Sequence, residues 1–527
     1  SATTVLGQGS ADQVLTSDGT DISWEDAGGG VSGLTGLVEN NSIWLGNDPS
    51  GTTDTAAYSV ALGTTALDAI TTGDYNVALG YNAGTALSTG SETICIGASA
   101  GAALSTGTNN LAIGHQALAT ATTTSYNIAI GRDALNDATG ANNVIVGHWG
   151  GDKISTGTSN IGIGYEVLGA LTTGASNVAI GGYALDAVTT SSFNTAIGNS
   201  ALGAYTGAAN TAVGASALLA NSTGVRNTAV GYVALTAVAA GYNNTAVGYN
   251  AGVSLVDSYN NTFIGVYAGD ANVAAYSCTS IGYNAGSTAH GNGCTFVGEG
   301  AGYGVTGSGS YQNTSVGQSA LAGACDDFAN TAIGHQALVA STGARYGTAL
   351  GKGAGVAQTT GDYNTHIGAL AGDNVVDGAN NTSVGYQAEP SGSGEDNEVT
   401  LGNGDVDTLR CNTQTISALS DARDKQNIEE LPLGVEFINT LRPVKFDWSR
   451  RDGSSKGIQE IGFVAQELDK AQQDAKAEEY MRLVLKSNPD RLESTYGKLV
   501  PILTKAVQEL SAEIEELKKK AHNKCEE

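Results

Sequence analysis

The sequence predicts a mainly β protein: a parallel β-solenoid, or β-roll, of 17-residue coils, followed by an α-rich C-terminal domain. Three observations predict this fold. A marker glycine recurs 22 times from Gly46 to Gly402, and of the 21 intervals 17 are 17 residues long, three are 16 and one is 19. A short β-branched pattern precedes each glycine, and the composition changes abruptly at Ser420. Spacing this regular indicates one structural unit that is repeated and stacked.

The strand signal lies just before each marker glycine, which is taken as position 0. Position −1 is Ile, Val or Leu in every copy, and position −3 is Thr, Val, Ile or Leu. This alternation has the period of two that is typical of a strand with one apolar face. We therefore expect two short strands and two turns per coil, with Ala, Val, Ile and Thr as the inward residues.

Asparagine recurs at position −4 in 15 copies, from Asn76 to Asn381. Asparagines that share one register can hydrogen-bond from coil to coil and satisfy the backbone where each strand begins. The sequence therefore predicts an asparagine ladder along the solenoid.

The narrow coil predicts an oligomer, because 17 residues enclose little volume and leave one flank apolar. The repeat reads most plainly in Asn227–Leu235, N-T-A-V-G-Y-V-A-L. This pattern resembles the head repeats of trimeric autotransporter adhesins, which are trimeric β-rolls, and related repeats of phage tail fibres. The resemblance implies a homotrimer. The handedness of the roll stays open.

The charge is strongly acidic, with 51 Asp and Glu against 24 Lys and Arg and a formal net charge of −27. Such a chain does not attract nucleic acid or an anionic membrane surface. No run of 18 apolar residues is present, so we expect no membrane insertion. We also expect no cofactor and no metal site. The chain begins at Ser1 without Met, and we expect a fragment or a processed product.

Four regions follow from these patterns. Residues 1–40 form an N-terminal attachment or linker segment, in which residues 15–24 predict a β-hairpin that turns at Asp18-Gly19 and resemble segments of virion fibre proteins. Residues 41–403 form the repeat shaft, residues 404–419 an exit linker, and residues 420–527 the C-terminal domain. In the last of these, an apolar pattern close to a heptad predicts a coiled-coil helix of about 20 residues. Its members are Leu499, Leu503, Ala506, Leu510, Ile514 and Leu517.

Four separated motifs lie in this last region: residues 420–428 (S-D-A-R-D-K-Q-N-I), 441–444 (L-R-P-V), 461–467 (I-G-F-V-A-Q-E) and 496–501 (Y-G-K-L-V-P). Together they resemble the intramolecular chaperone auto-processing domain, the peptidase S74 family, whose members trimerise phage tail spikes and fibres and then cut themselves off. The stretch 469–488 is more charged and helical than the family pattern.

The resemblance implies a Ser–Lys dyad and a single-turnover self-cleaving endopeptidase. Ser420 would be the nucleophile, Lys425 the general base, and the bond between Ser420 and Asp421 the cleavage site. Lysine acts as a base only where burial or a neighbouring cation such as Arg423 lowers its pKa. We therefore expect cleavage to depend on assembly. Whether this chain cuts itself stays open.

Two further features concern the solenoid surface. Position +1 is variable and polar, and we expect it to face solvent. Its tyrosines form a candidate ligand-contact stripe that could stack sugar rings, and a simple solvated stripe is the alternative; they are Tyr81, Tyr165, Tyr232, Tyr249, Tyr283 and Tyr386. Cys278 and Cys294 both occupy position −4 of consecutive coils. We expect buried thiols there, with a disulfide as the alternative.

These expectations combine into a function. We expect a structural virion fibre, a phage tail fibre or spike, that mediates host attachment and is located in the extracellular particle. Its partners would be two further copies of the chain, other tail proteins through the N-terminus, and a glycan or protein receptor on the host. A bacterial trimeric surface adhesin and a glycan-degrading tailspike are the alternatives.

Overall fold

The computed structural model of the chain contains two compact units, residues 1–330 and residues 331–527, and each is described by itself. The structure describes residues 13–17, 22–26, 36–45, 55–204, 206–220, 222–288, 291–305, 311–323, 328–406, 408–410, 421–449, 457, 459–486 and 492–526.

Two antiparallel pairs begin the chain. Strands β1 (Gln13–Ser17) and β2 (Ile22–Asp26) pair with Ser17 opposite Ile22, so the predicted hairpin strands are confirmed. The turn predicted at Asp18-Gly19 lies outside the described residues. Strands β3 (Gly36–Glu39) and β4 (Ser42–Leu45) form a second antiparallel pair, and β4 opens the solenoid by pairing in parallel with the first coil strand.

Each coil then contributes one three-residue strand. In chain order, the strands of the first unit, β5 to β20, are Val60–Leu62, Val77–Leu79, Ile94–Ile96, Leu111–Ile113, Ile128–Ile130, Val144–Val146, Ile161–Ile163, Val178–Ile180, Thr195–Ile197, Thr211–Val213, Thr228–Val230, Thr245–Val247, Thr262–Ile264, Thr279–Ile281, Thr295–Val297 and Thr314–Val316. Those of the second unit, β21 to β25, are Thr331–Ile333, Thr348–Leu350, Thr365–Ile367, Thr382–Val384 and Val399–Leu401. Within each unit, neighbouring strands pair in parallel with equivalent residues opposite each other, as Val178 is opposite Thr195. The predicted parallel β-solenoid is confirmed.

The prediction of two strands per coil is wrong. The opposite side of each coil is a tight turn whose N–H groups also bond to the next coil, as Leu67 N–H does to the Ala83 carbonyl at 3.1 Å. There the backbone turns through left-handed conformations at positions +2 and +4, exemplified by Thr65 at φ 59° and Leu67 at φ 51°. This conformation costs an L-residue roughly 1–2 kcal/mol. Burial of the Leu side chain, about 1.5–3 kcal/mol, offsets that cost.

The residues that fill the coil are those at positions −4, −2, +3, +4 and +7. In one coil these are Asn177, Ala179, Ala184, Leu185 and Val188, all buried. The prediction that Val, Ile and Thr of the strand face inward is therefore wrong for positions −3 and −1, which point outward. The interior is too narrow for two β-branched residues per strand, so the small residue at −2 takes the inner face.

The marker glycine allows the coils to approach closely. Gly63 has φ 137°, and a Cβ on it would lie 2.6 Å from the carbonyl oxygen of Gly80 in the next coil. From Gly63 to Gly385 the markers share this left-handed φ. Any side chain would separate the coils here. This explains why glycine recurs at position 0 of the repeat.

Large residues at −2 are matched by glycine at +4. The Phe263 ring occupies the space where a Cβ of Gly252 or of Gly269 would stand, 2.9 Å away in both cases. Phe296 makes the same contact with Gly286 and Gly302. Many coils have Ala at −2 and Leu at +4, whereas these coils have Phe at −2 and Gly at +4. The total side-chain volume inside the coil is thus conserved.

The predicted asparagine ladder is confirmed. From Asn127 to Asn261, the Oδ1 of each Asn accepts the backbone N–H of position −4 in the following coil, at 2.8–3.1 Å. The Nδ2 donates to a turn carbonyl of the following coil, as Asn177 does to Ser191 at 2.9 Å. These amides satisfy backbone groups that would otherwise be buried without a partner.

The C-terminal domain is α-rich with short antiparallel pairs. Its helices are α1 (Val435–Ile438), α2 (Ala465–Asp474), α3 (Glu478–Met481) and α4 (Leu499–Glu526). Its strand pairs are β26 (Val444–Asp447) with β27 (Gln459–Gly462) and β28 (Val484–Leu485) with β29 (Glu493–Ser494). One core joins the four helices and β28; it contains Phe437, Leu468, Ala477, Met481, Leu483, Val484, Leu499 and Ile502. The stretch 469–488 supplies part of this core.

Candidate processing site and exposed surfaces

Three of the four C-terminal motifs, which are distant in sequence, meet in the fold. Arg442 pairs with Glu467, with Nε 3.0 Å from Oε2, and thereby joins the second motif to the third. The hydrogen bond from Arg442 lowers the pKa of Glu467. The Tyr496 hydroxyl accepts the Phe463 N–H at 3.1 Å and joins the fourth motif to the third. These motifs therefore serve as contacts that hold the domain together.

The first motif begins at the predicted cleavage bond. Ser420 lies outside the described residues. Asp421 caps a 3-10 helix, Ala422–Asp424, by accepting the Arg423 N–H at 2.9 Å. The Arg423 guanidinium pairs with the same carboxylate and lowers the pKa of Asp421. Lys425 follows this helix and is exposed.

Helix α4 carries an exposed apolar stripe that differs slightly from the predicted heptad. Leu499 and Ala506 of that heptad are buried against the domain. The exposed stripe contains Val500, Leu503, Val507, Leu510, Ile514 and Leu517, each 44–63% exposed. Its spacing of 3, 4, 3, 4 and 3 is a strict heptad. We call these six residues the helix seam.

The outward strand residues form a second exposed apolar surface. Positions −3 and −1 are half-buried or exposed along both units, for example Ile163 at 43% and Leu350 at 46%. They lie in register from coil to coil because the strands pair with equivalent residues opposite each other. We call this row of −3 and −1 side chains the strand face. Position −1 is Ile, Val or Leu in every coil, whereas position −3 is Thr from Thr195 to Thr382. An exposed apolar row of this kind within one unit is typical of an interaction site.

The six tyrosines of the predicted ligand stripe are all exposed, as expected for position +1. Tyr232 and Tyr249 stack on adjacent coils with ring centroids 5.6 Å apart. Tyr267, a tyrosine at position +2 that the sequence analysis missed, lies between Tyr249 and Tyr283. Its ring makes an edge-on contact with each of them. Tyr81 and Tyr386 have no +1 tyrosine in the coils beside them. Ligand contact through the stripe stays a prediction.

Cys278 and Cys294 are buried free thiols, as is Cys95. The Cys278 Sγ lies 3.0 Å from the Gly291 carbonyl oxygen. The hydrogen bond with Cys278 and burial both raise the pKa of Cys294, and burial raises that of Cys95 to about 12. Thiols with raised pKa values are poor nucleophiles.

The described part of the chain can be characterised in two further respects. None of its helices is long and apolar enough to cross a membrane. None of its groups of His, Cys, Asp and Glu is arranged to hold a metal ion.

The fold and surfaces define the class of protein: a parallel β-solenoid of 17-residue coils with a separate C-terminal domain. Residues 420–476 of that domain match the family model Peptidase_S74, described as the chaperone of endosialidase. The C-terminal region is therefore a chaperone-of-endosialidase domain, as the motifs predicted. Comparison with curated proteins and with solved structures finds no match.

Proposed function

We propose that the protein is a fibre of the phage tail, a tail fibre or tailspike shaft, built from three chains and used for host attachment. The observation that carries the proposal is the strand face. A solenoid that exposes aliphatic residues along its length has a large apolar area to cover, and identical chains carry identical faces in the same register. Covering the exposed half of one Ile contributes about 1 kcal/mol, and the face repeats in every coil.

The helix seam supports assembly from the C-terminal end. Its positions a are Val500, Val507 and Ile514, and its positions d are all Leu. In isolated parallel coiled coils this combination favours two strands. The number three rests on the resemblance of the repeats to trimeric β-rolls. In the proposed fibre the solenoid faces would set this number, and the seam would align the chains.

The chaperone domain gives this alignment a purpose. Neighbouring coils are so similar that a slip by one repeat keeps most contacts between chains, so the repeats alone specify register weakly. A C-terminal domain that joins the chains first would fix the register. Cleavage between Ser420 and Asp421 would then remove it and make unfolding hard to reverse.

The assembly is tested by charge placed on the strand face. Ile264→Lys combined with Ile281→Lys should dissociate the chains, because the new ammonium groups would be buried between copies. Tyr249→Lys combined with Tyr283→Lys is the matched control, since both positions are exposed beside the same coils. Sedimentation velocity on the full chain measures the result. Equal sedimentation of the two double variants would reject the strand face as the interface.

The processing step needs its own measurement. Intact mass under denaturing conditions should show loss of the chain after the Ser420–Asp421 bond in the parent protein and full length in Ser420→Ala. Full-length masses in both would reject self-cleavage for this chain and leave the assembly test unaffected.

A further inference from the structure

Three successive coils carry an aromatic cluster that the stripe of +1 tyrosines does not explain. Its rings are those of His148 and Trp149 in one coil, Tyr165 in the next and Tyr183 in the third. Trp149 and Tyr183 occupy position +2, so each neighbours the +1 column. Ring centroids of successive members are 4.1–5.9 Å apart, which makes one continuous surface.

The ring orientations differ from those of three other tyrosine pairs and resemble those of Tyr249, Tyr267 and Tyr283, whose rings meet at 82° and 77°. Tyr58 with Tyr75, Tyr242 with Tyr259, and Tyr346 with Tyr363 stack within 6° of parallel and cover each other's faces. In the cluster, Trp149 meets Tyr165 at 58° and Tyr165 meets Tyr183 at 73°. The splayed rings leave aromatic faces open, and Tyr165 and Tyr183 are 40% and 38% exposed.

Polar groups fix and border these rings. The Trp149 indole N–H donates to Asp133 Oδ2 at 2.9 Å, and Arg132 pairs with the same carboxylate at 3.2 Å. The Arg132 guanidinium lies 6.0 Å from the centre of the Trp149 ring. A side-chain hydrogen bond with Glu166 raises the pKa of Tyr165 to about 12. The rings are thus held in place before any ligand arrives, which lowers the entropic cost of binding.

We propose that this cluster is a binding site for a neutral hexose-containing glycan. A pyranose ring has an apolar C–H face that packs on an aromatic ring, and its hydroxyls require donors and acceptors of the kind that Arg132, Asp133 and Glu166 offer. Arg132 pairs with Asp133, and Glu166 adds a second carboxylate beside Tyr165, so these three side chains together are acidic and disfavour an anionic sugar. The proposal rests on the proposed role in host attachment and gives it a place on the solenoid and a ligand class.

The test is isothermal titration calorimetry on the full-length chain with maltohexaose, cellohexaose, laminarihexaose and chitohexaose, and with polysialic acid as the anionic probe. At least one neutral hexasaccharide should bind. Trp149→Ala and Tyr165→Ala should each weaken that binding at least tenfold. The double variant Tyr346→Ala, Tyr363→Ala, which removes an exposed stack elsewhere, should leave it unchanged.

Three results would overturn the proposal: no binding of any neutral probe, binding that survives both cluster variants, or preference for polysialic acid. Circular dichroism of each variant shows that a loss of binding is not a loss of fold. Sedimentation of the same samples separates the two proposals, because a parent protein that assembles but binds no hexasaccharide would reject the site and keep the fibre.

Discussion

The Oδ1 of Asn177 accepts the backbone N–H of Asn194, 3.0 Å away and one coil further along the solenoid. Asn177 in turn donates from its own N–H to Asn160 at 3.1 Å and from Nδ2 to the Ser191 carbonyl at 2.9 Å. One residue thus links three successive coils. Both asparagines are buried, so each bond is protected from water.

Asn177→Ala should destabilise the solenoid by about 3 kcal/mol, because it leaves the Asn194 N–H and the Ser191 carbonyl buried without their partner, at about 1–3 kcal/mol each. Denaturant unfolding of the full chain measures the change. The exposed Asn199→Ala should change stability by less than about 0.5 kcal/mol. Equal effects would contradict a structural role of the ladder.

Side chains at positions −2 and +4 share one volume inside the coil. Substitutions of Phe263 and Gly269 should therefore have non-additive effects on the free energy of unfolding. Phe263→Ala should cost about 3–5 kcal/mol through the cavity it creates. Gly269→Leu should cost about 1–3 kcal/mol or more through overlap with the Phe263 ring. The backbone itself tolerates Leu at this position, since Leu235 adopts φ 50° in an equivalent coil.

The double variant Phe263→Ala, Gly269→Leu recreates the Ala–Leu pairing of the common coil. Its destabilisation should be smaller than the sum of the two single effects by about 0.5–3 kcal/mol. A double-mutant cycle from denaturant unfolding gives this difference. Strict additivity would show that the two positions do not share one volume.

His366 makes stability depend on pH. It is buried at position −2 with Nε2 3.2 Å from Gln358 Oε1, and burial lowers its pKa from the ordinary 6.5 to about 4. The unfolded chain therefore takes up a proton at higher pH than the folded chain does. Stability should fall as the pH drops from about 6.5 to about 4, by on the order of 3 kcal/mol in total.

His366→Phe should remove this component of the pH dependence. Phe263 and Phe296 show that a ring of this size fits at −2 where glycines flank it, and Gly355 and Gly372 flank His366. Unfolding free energies measured between pH 4 and 7 give the slope. Replacement of the exposed His115 by Gln is the control, and a parent slope that persists in His366→Phe would assign it to other groups.

The sequence predicted the period, the parallel stacking, the asparagine ladder and the N-terminal hairpin because each depends on local pattern. It did not predict which strand face is inside, since alternation at −3 and −1 is the same for either face. The small residue at −2, as Ala179, was the available signal. The predicted heptad differs from the helix seam for a similar reason. Ala506 and Val507 both fit an apolar stripe, and only the structure shows that the domain core buries Ala506.

The aromatic cluster was missed in part because the +1 column was read alone. Trp149 and Tyr183 lie one residue later, and the left-handed backbone at +2 brings them beside the +1 rings of adjacent coils. Only an alignment of the repeats that compared positions +1 and +2 together would have shown that these aromatic residues are neighbours. The placement of Ser420 lies outside the described residues, so the dyad stays a prediction.

The helix seam predicts a second way to disrupt assembly. Leu510→Lys combined with Ile514→Lys should prevent alignment of the chains, because both side chains are exposed in one chain and buried in the proposed bundle. Glu513→Lys combined with Glu516→Lys changes charge on the same helix outside the seam. Light scattering after refolding should show soluble assemblies for the control pair and loss of them for the seam pair.

The native mass of the uncleaved chain tests the central claim most directly. Native mass spectrometry of full-length Ser420→Ala, one chain of which is 53.0 kDa, should give three times that mass. A twofold mass would mean that the helix seam, and not the strand face, sets the number of chains. A stable monomer with its strand face open to water would contradict the account.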